Sequence, residues 1–116
     1  MPDMEVNLLR ESIDLLILKS LTWGPKNAHG LMEWIQRATR TRVRIEEGTL
    51  YPALHRLTRR RLVHAEWGTP EDNRAGKLYE LTPTGLRQLN ARSSTWRRHV
   101  DAIGGALAMP SSEVAW

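Results

Sequence analysis

Residues 48–85 constrain the fold of this chain more than any other segment does. They run GTLYPALHRLTRRRLVHAEWGTPEDNRAGKLYELTPTG, beginning with a stripe at helical spacing, Leu50, Leu54 and Leu57. Two stretches that alternate apolar and polar residues follow, and they predict strands over Leu62–Trp67 and Lys77–Thr82. The polar turn between them is too long for a tight hairpin. The segment therefore predicts an amphipathic helix followed by a hairpin with a long charged tip.

Arginines concentrate on this predicted helix and just before it. Between positions 37 and 61 there are eight arginines and two acids, whereas the 116-residue chain as a whole has 17 basic and 13 acidic side chains. A solvated charged face is one interpretation. Double-stranded DNA is favoured as the partner because the basic cluster coincides with a helix and hairpin of winged helix-turn-helix type.

The preceding helices supply the rest of such a domain. Helix one is predicted over Val6–Thr22, with apolar stripes on two flanks, so one flank can cover the core and the other a second subunit. Asn27 is the predicted N-cap of helix two, and a basic connector follows over Thr39–Arg44. Helix three begins between Glu46 and Thr49. Thr49 is favoured as its N-cap because Pro52 then falls in the first turn.

A fourth helix is predicted to begin at Thr82-Pro83, an N-cap followed by proline at the first helical position. Its apolar side follows alternating steps of three and four from Leu86 to Leu107, the pattern of a coiled-coil seam. Packing on the chain's own helix one is an alternative to dimerisation. Dimerisation is favoured because a three-helix winged domain buries its core without this helix. The predicted fold is mainly α with a small β-hairpin: a winged helix-turn-helix domain over 1–82, a dimerisation helix over 83–108 and a flexible tail over 109–116.

Residue types that carry catalysis or hold metals do not cluster. The chain has no cysteine, and its four histidines fall on different predicted elements without metal-ligand spacing. No nucleophile–base pattern or phosphate-binding loop is present. We therefore expect no enzyme activity, no catalytic residue, no metal and no cofactor. The N-terminus has no signal-peptide pattern and the longest apolar run is four residues, which favours a cytoplasmic protein without a membrane partner.

Tryptophan is frequent in a chain that has no phenylalanine. Trp23, Trp34 and Trp67 lie on patterns that predict core positions. Trp96 instead lies in the middle of the seam of helix four. Ordinary packing between subunits is the favoured interpretation of Trp96, and a site for a small hydrophobic or aromatic effector is the other.

Several blocks together resemble the PadR family of bacterial transcriptional regulators: GPKNAHGLMEWI at 24–35, GTLYPALHRL at 48–57, RLVHAEW, Asn73-Arg74 and KLYELTPTG at 77–85. The resemblance covers roughly residues 7–107 and is strongest to small members with a single helix after the wing. It implies a repressor whose last helix forms a two-fold dimer with helix one. Two positions depart from the family pattern, since Arg61 stands where glycine is usual and Thr58 where an acid is usual. A left-handed conformation at Arg61 would cost about 1 kcal/mol.

The resulting hypothesis is a homodimeric, sequence-specific repressor on a pseudo-palindromic operator. The residues predicted to contact DNA are Arg40, Arg42, Arg44, Thr49, Tyr51, Pro52, His55, Arg56, Arg59, Arg60, Arg74 and Lys77. Those predicted at the dimer interface are Leu8, Leu15, Leu86, Leu89, Ser93, Trp96, Val100, Ile103 and Leu107. The alternatives are a ligand-sensing multidrug-type repressor with an aromatic pocket at Trp96, and a protein-interaction module that uses the winged-helix surface.

Overall fold

Four helices and one hairpin make up the fold. The computed structural model describes residues 2–68 and 76–112, with side chains from residue 10 onward. The elements are α1 (Pro2–Ser20), a single 3-10 turn (Leu21–Trp23), α2 (Ala28–Ala38), α3 (Glu47–Arg59), β1 (Val63–Trp67), β2 (Lys77–Leu81) and α4 (Pro83–Ala108). The mainly helical fold with one small hairpin is as predicted, and each strand is one residue shorter than expected.

The core lies between the first three helices and the base of the hairpin. β1 and β2 pair antiparallel, with Val63 opposite Leu81 and Trp67 opposite Lys77. A single bridge from Lys26 to Tyr79 extends the hairpin on its outer side through two backbone hydrogen bonds, of 2.8 and 3.0 Å. The largest fully buried apolar side chains come from every layer: Ile17, Leu18, Leu31, Ile35, Leu50, Leu54, Leu57 and Val63. The predicted inward stripe of α3 is confirmed.

Helix N-termini agree with the sequence in two cases and differ in one. The Asn27 side chain accepts a hydrogen bond from the Gly30 N–H at 2.7 Å, and Thr82 caps α4 in the same way through the Gly85 N–H at 2.9 Å. The prediction of Thr49 as N-cap of α3 was wrong. The cap is Glu46, whose carbonyl accepts from both Thr49 and Leu50, so the helix closes its first turn before Pro52.

The helix that begins early must contain Pro52 in its interior. Proline supplies no N–H for the carbonyl of Gly48, four residues earlier. That position is exposed, so water can satisfy the carbonyl.

Helices α2 and α3 end in the same way, each with an arginine in the left-handed conformation. The Leu62 N–H donates to the Leu57 carbonyl and the Arg61 N–H to that of Thr58, with φ of Arg61 at 61°. Arg40 occupies the matching place after α2, with φ of 52°. These are Schellman motifs, in which glycine usually takes the left-handed place. The conformation for which a cost of about 1 kcal/mol was predicted at Arg61 is therefore kept.

Helix α4 packs against α1 near its start and then leaves the domain. Leu89 is 3% exposed and belongs to the protomer's own core, which removes it from the predicted subunit contact. Leu15 is partly buried against the same core, and the side chain of Leu8 lies outside the described residues. Every residue from 97 to 112 is exposed. Of the helices within residues 2–68 and 76–112, none has the length and apolar character needed to cross a bilayer.

Two of the predicted core tryptophans are at the surface. Trp23 is 66% exposed and Trp67 is 76% exposed, so those two predictions were wrong. Trp34 is partly buried, and its ring lies 5.4 Å from that of Trp23. Trp23 follows the 3-10 turn at the end of α1, and Trp67 is the last residue of β1, beyond the end of the core.

Candidate nucleic-acid interface

One side of α3 is free of the core and carries most of the residues that were predicted to contact DNA. Tyr51, His55 and Arg59 follow one another at steps of four and are exposed. Steps of four place side chains on one helix face. Thr49, Pro52 and Arg60 are also exposed. This is the outward face of a helix whose opposite face is fully buried.

A groove runs between this face and the hairpin. It has a volume of about 420 Å³ and is lined by Tyr51, Pro52, Leu54, His55 and Thr58 from α3 and by Ala65, Lys77 and Tyr79 from the strands. None of these lining residues is acidic. Burial raises the pKa of the Tyr79 hydroxyl, and the neighbouring Tyr51 raises it further, so the group stays protonated at neutral pH. The groove therefore presents neutral and cationic donors, which suit a phosphodiester.

The basic connector between α2 and α3 is held in place by Thr39. The Thr39 hydroxyl donates to the Ile35 carbonyl at 2.7 Å and accepts from the Val43 N–H at 3.2 Å. The exposed arginines of the connector are Arg40, Arg42 and Arg44. The connector leads directly into the first turn of α3, so its arginines lie near the end of that helix. Arg74 lies outside the described residues.

Arg56 does not lie with the other predicted contacts. Its Nη2 atom is 3.2 Å from Oδ1 of Asp14 on α1, and its side chain is only 31% exposed. Asp14 is 5% exposed. Burial raises the pKa of the Asp14 carboxyl, even though the neighbouring guanidinium groups, that of Arg56 first among them, lower it. The pair links α1 to α3, and we assign Arg56 to this internal contact in place of DNA.

Replacing Asp14 with Asn is expected to change how stability depends on pH. A carboxyl whose pKa is higher in the folded than in the unfolded chain stabilises the fold fully below the unfolded pKa and loses that contribution as the pH rises through the folded pKa. Asn does not titrate. The melting temperature of Asp14→Asn should therefore improve relative to that of the unaltered protein between about pH 3 and about pH 7.

Thermal melts across this range check the prediction, with Asp101→Asn as the control because it removes an exposed carboxyl from α4. A difference between Asp14→Asn and the unaltered protein that stays constant or moves the other way would contradict it.

Comparison with known proteins identifies the chain. Residues 17–91 match the family described as the transcriptional regulator PadR-like family. The chain belongs to this family. A PadR family transcriptional regulator from Eggerthella lenta has a solved structure that is similar over 94% of this chain and 93% of that one, with a TM-score of 0.73 and 28% identity.

Two further solved structures support the fold alone, because their sequences are more distant. A transcriptional regulator from Clostridium thermocellum matches 85% of this chain and 96% of its own, with a TM-score of 0.77 and 23% identity. F93 from STIV, a winged-helix DNA-binding protein, matches 74% of this chain and 88% of its own, with a TM-score of 0.61 and 24% identity. The chain has the winged-helix DNA-binding fold of a PadR-like transcriptional regulator, and proteins of this kind are not enzymes.

Within this PadR-like fold, sequence reasoning missed two residues beside the interface. Tyr79 was placed on a strand but not in the groove, although its position opposite Ala65 on the helix-facing side could have indicated it. Asp14 was missed as the partner of Arg56. A single acid within the apolar stripes of α1 was the available signal, because a buried carboxylate requires a cationic or hydrogen-bonding partner.

Proposed function

We propose that this PadR-like protein is a sequence-specific repressor that binds a pseudo-palindromic operator as a homodimer and blocks the promoter. The observation that carries the proposal is the groove between α3 and the hairpin. It combines Tyr51, His55 and Lys77 on two elements that frame one concave surface, and no acidic side chain lines it. A duplex is the ligand that suits a helix of this kind, since the major groove admits an α-helix and the adjoining backbone is anionic.

The interface residues then fall into two roles. Tyr51, Pro52 and His55 on the outward face of α3 would enter the major groove, where few side chains can discriminate bases. The remaining basic and polar positions would contact phosphates and fix the orientation of the domain. These are Arg40, Arg42, Arg44, Thr49, Arg59, Arg60, Arg74 and Lys77.

The second half of the proposal is dimerisation through α4. Val100, Ile103 and Leu107 follow the seam spacing and remain exposed in the protomer, together with Leu86 nearer the start of the helix. A row of exposed apolar side chains on one helix face is the signature of a helix that lacks its packing partner. We assign residues 1–82 to DNA binding, 83–108 to dimerisation, and 109–116 to a tail. Ser93 and Trp96 complete the seam between the two apolar ends.

Binding to duplex DNA is expected to fall steeply with salt. If the dimer makes about six to ten phosphate contacts, its affinity should drop by roughly 10³–10⁵ between about 50 and 200 mM salt. Fluorescence anisotropy on a pool of random-sequence duplex DNA measures this slope. Tighter binding to single strands, or an affinity that does not respond to salt, would favour a protein-interaction module.

The slope also identifies the cations responsible. Replacing Arg42 and Arg44 with Gln should lower it by about two, because each phosphate contact contributes about one. Replacing Arg87 and Arg98 on α4 removes the same charge at exposed positions outside the interface and should leave the slope unchanged.

A ligand-sensing repressor is a second candidate, favoured by a groove beside Trp96. This groove of about 420 Å³ is lined by Glu11 of α1 and by Ala91, Arg92, Thr95, Trp96 and His99 of α4. If the second subunit leaves it open, it would accept a flat aromatic effector, and an acidic side chain at its edge would favour a cation. Quenching of tryptophan fluorescence by a planar aromatic cation, lost in Trp96→Leu, would separate this candidate from a repressor without an effector.

A further inference from the structure

Trp67 is a large aromatic side chain at the far end of the hairpin that the core does not need. It is 76% exposed, and the ring has Lys77, its partner in the strand register, over one side, with Nζ 5.3 Å from the ring centroid. An indole held in water buries little apolar surface, so folding alone does not account for it. Its surroundings indicate what would cover it.

The two faces of the hairpin have opposite character. Successive residues of a strand alternate between faces, so Trp67 lies on the same face as Ala65 and the buried Val63, which is the face turned toward α3. Lys77 and Tyr79 lie opposite them on that face. The acids of the two strands, Glu66 and Glu80, are on the other face, where Glu66 pairs with His64 at 2.9 Å. Within the described strands, the side facing α3 is thus aromatic and cationic only.

A second groove joins Trp67 to the candidate interface. It has a volume of about 350 Å³ and is lined by Ala28, Tyr51, Trp67, Gly76, Lys77 and Tyr79. Tyr51, Lys77 and Tyr79 also line the groove beside α3, so the two grooves meet at these three residues. Trp67 therefore forms the outer wall of one continuous corner between the groove-entering helix and the wing. This second groove also has no acidic lining residue.

We propose that Trp67 and Lys77 form a clamp for one sugar–phosphate unit of duplex DNA. The inference rests on the proposed function, because it assumes that α3 lies in the major groove. With α3 there, the backbone strand that borders the groove would pass through the corner. Bases of a duplex are stacked inside it, so the indole would pack on the C–H face of a deoxyribose while the ammonium group contacts the adjacent phosphate. Trp67 adds apolar contact and orientation, and Lys77 adds charge.

Affinity and salt dependence separate these two contributions. Trp67→Ala should weaken binding to random-sequence duplex DNA by about tenfold at fixed salt, the effect of one well-covered apolar contact, and should leave the salt slope unchanged. Lys77→Gln should lower the slope by about one. Both side chains are exposed, so the melting temperatures of the variants should match that of the unaltered protein.

Trp23→Ala is the matched control. Trp23 is also an exposed tryptophan with a lysine over its ring, Lys19 at 5.5 Å, but it lines neither of the two grooves. Its replacement should leave duplex affinity unchanged, and an equal loss there would overturn the clamp. So would duplex affinity of Trp67→Ala within about twofold of that of the unaltered protein, or a loss confined to single-stranded DNA, which would indicate base stacking.

Failure of the proposed function gives a different result. In that case the unaltered protein itself does not bind duplex DNA, and the comparison between variants has no starting affinity.

Discussion

Replacing Val100 and Ile103 together with Asp is expected to turn the proposed homodimer into folded monomers and to abolish tight operator binding. The two side chains are 48% and 49% exposed in the protomer, so the domain core does not depend on them. In a dimer they would lie in an apolar seam, where each unpaired carboxylate costs several kcal/mol. A combined loss of roughly 4 kcal/mol raises the dissociation constant of the dimer about a thousandfold. DNA binding would then fall because the two half-sites could no longer be occupied by one linked unit.

Sedimentation velocity at micromolar protein measures the mass, and circular dichroism confirms that the monomers are folded. The matched control is Ser94→Asp with Ala102→Asp, which adds the same charge at exposed positions on the opposite side of α4. This control should remain dimeric. A monomer before any substitution, or a dimer that survives the seam variant, would contradict the role of α4.

The sequence was sufficient to predict the fold because the decisive signals were local. Helical spacing in Leu50, Leu54 and Leu57 and the two alternating stretches are properties of short segments, and the structure confirms both. The caps at Asn27 and Thr82 were predicted for the same reason, since a cap is a contact across three residues.

Errors arose where the outcome depended on how far one element extends past another. Alternation correctly places Trp67 on the face of β1 turned toward α3, but it contains no information on where the core ends. The strand continues beyond the covering side chains, so its last inward position faces solvent. For Leu89, the reverse holds. Its place in the seam is correct, yet α4 still contacts the domain there and Leu89 joins the core.

The candidate site shows the same limit for long side chains. Helical spacing places Arg56 at the border of the outward face of α3, and a flexible guanidinium at a border can turn to either side. The choice is decided by Asp14, which lies 42 positions earlier in the chain and is buried beside it. A buried carboxylate requires a cation more strongly than an exposed arginine requires solvent, so the pair forms across two helices.

The junction between the turn after α3 and the start of α4 is the place where a single methyl group is expected to do the most damage. Gly85 is the third residue of α4, and a Cβ atom added to it would lie 2.1 Å from the Leu62 carbonyl oxygen and 2.8 Å from Cδ1 of Leu81. The nearest obstacle is backbone, and Thr82 holds it in place through hydrogen bonds from its N–H and its hydroxyl to that same carbonyl. The obstacle therefore cannot move without breaking the cap of α4.

Gly85→Ala should accordingly lower the free energy of unfolding by about 2–4 kcal/mol, the range for an overpacked site whose backbone must shift. Gly104→Ala is the control, because a Cβ atom there meets nothing within 4 Å. In the exposed interior of the same helix this change should stabilise the protein by about 0.5–1 kcal/mol. Urea unfolding at one protein concentration compares the two variants, which receive the same methyl group with opposite expected signs. Equal midpoints would show that α4 can move away from the turn after α3 at little cost, and the tight junction at Gly85 would then have no role in holding α4 to the domain.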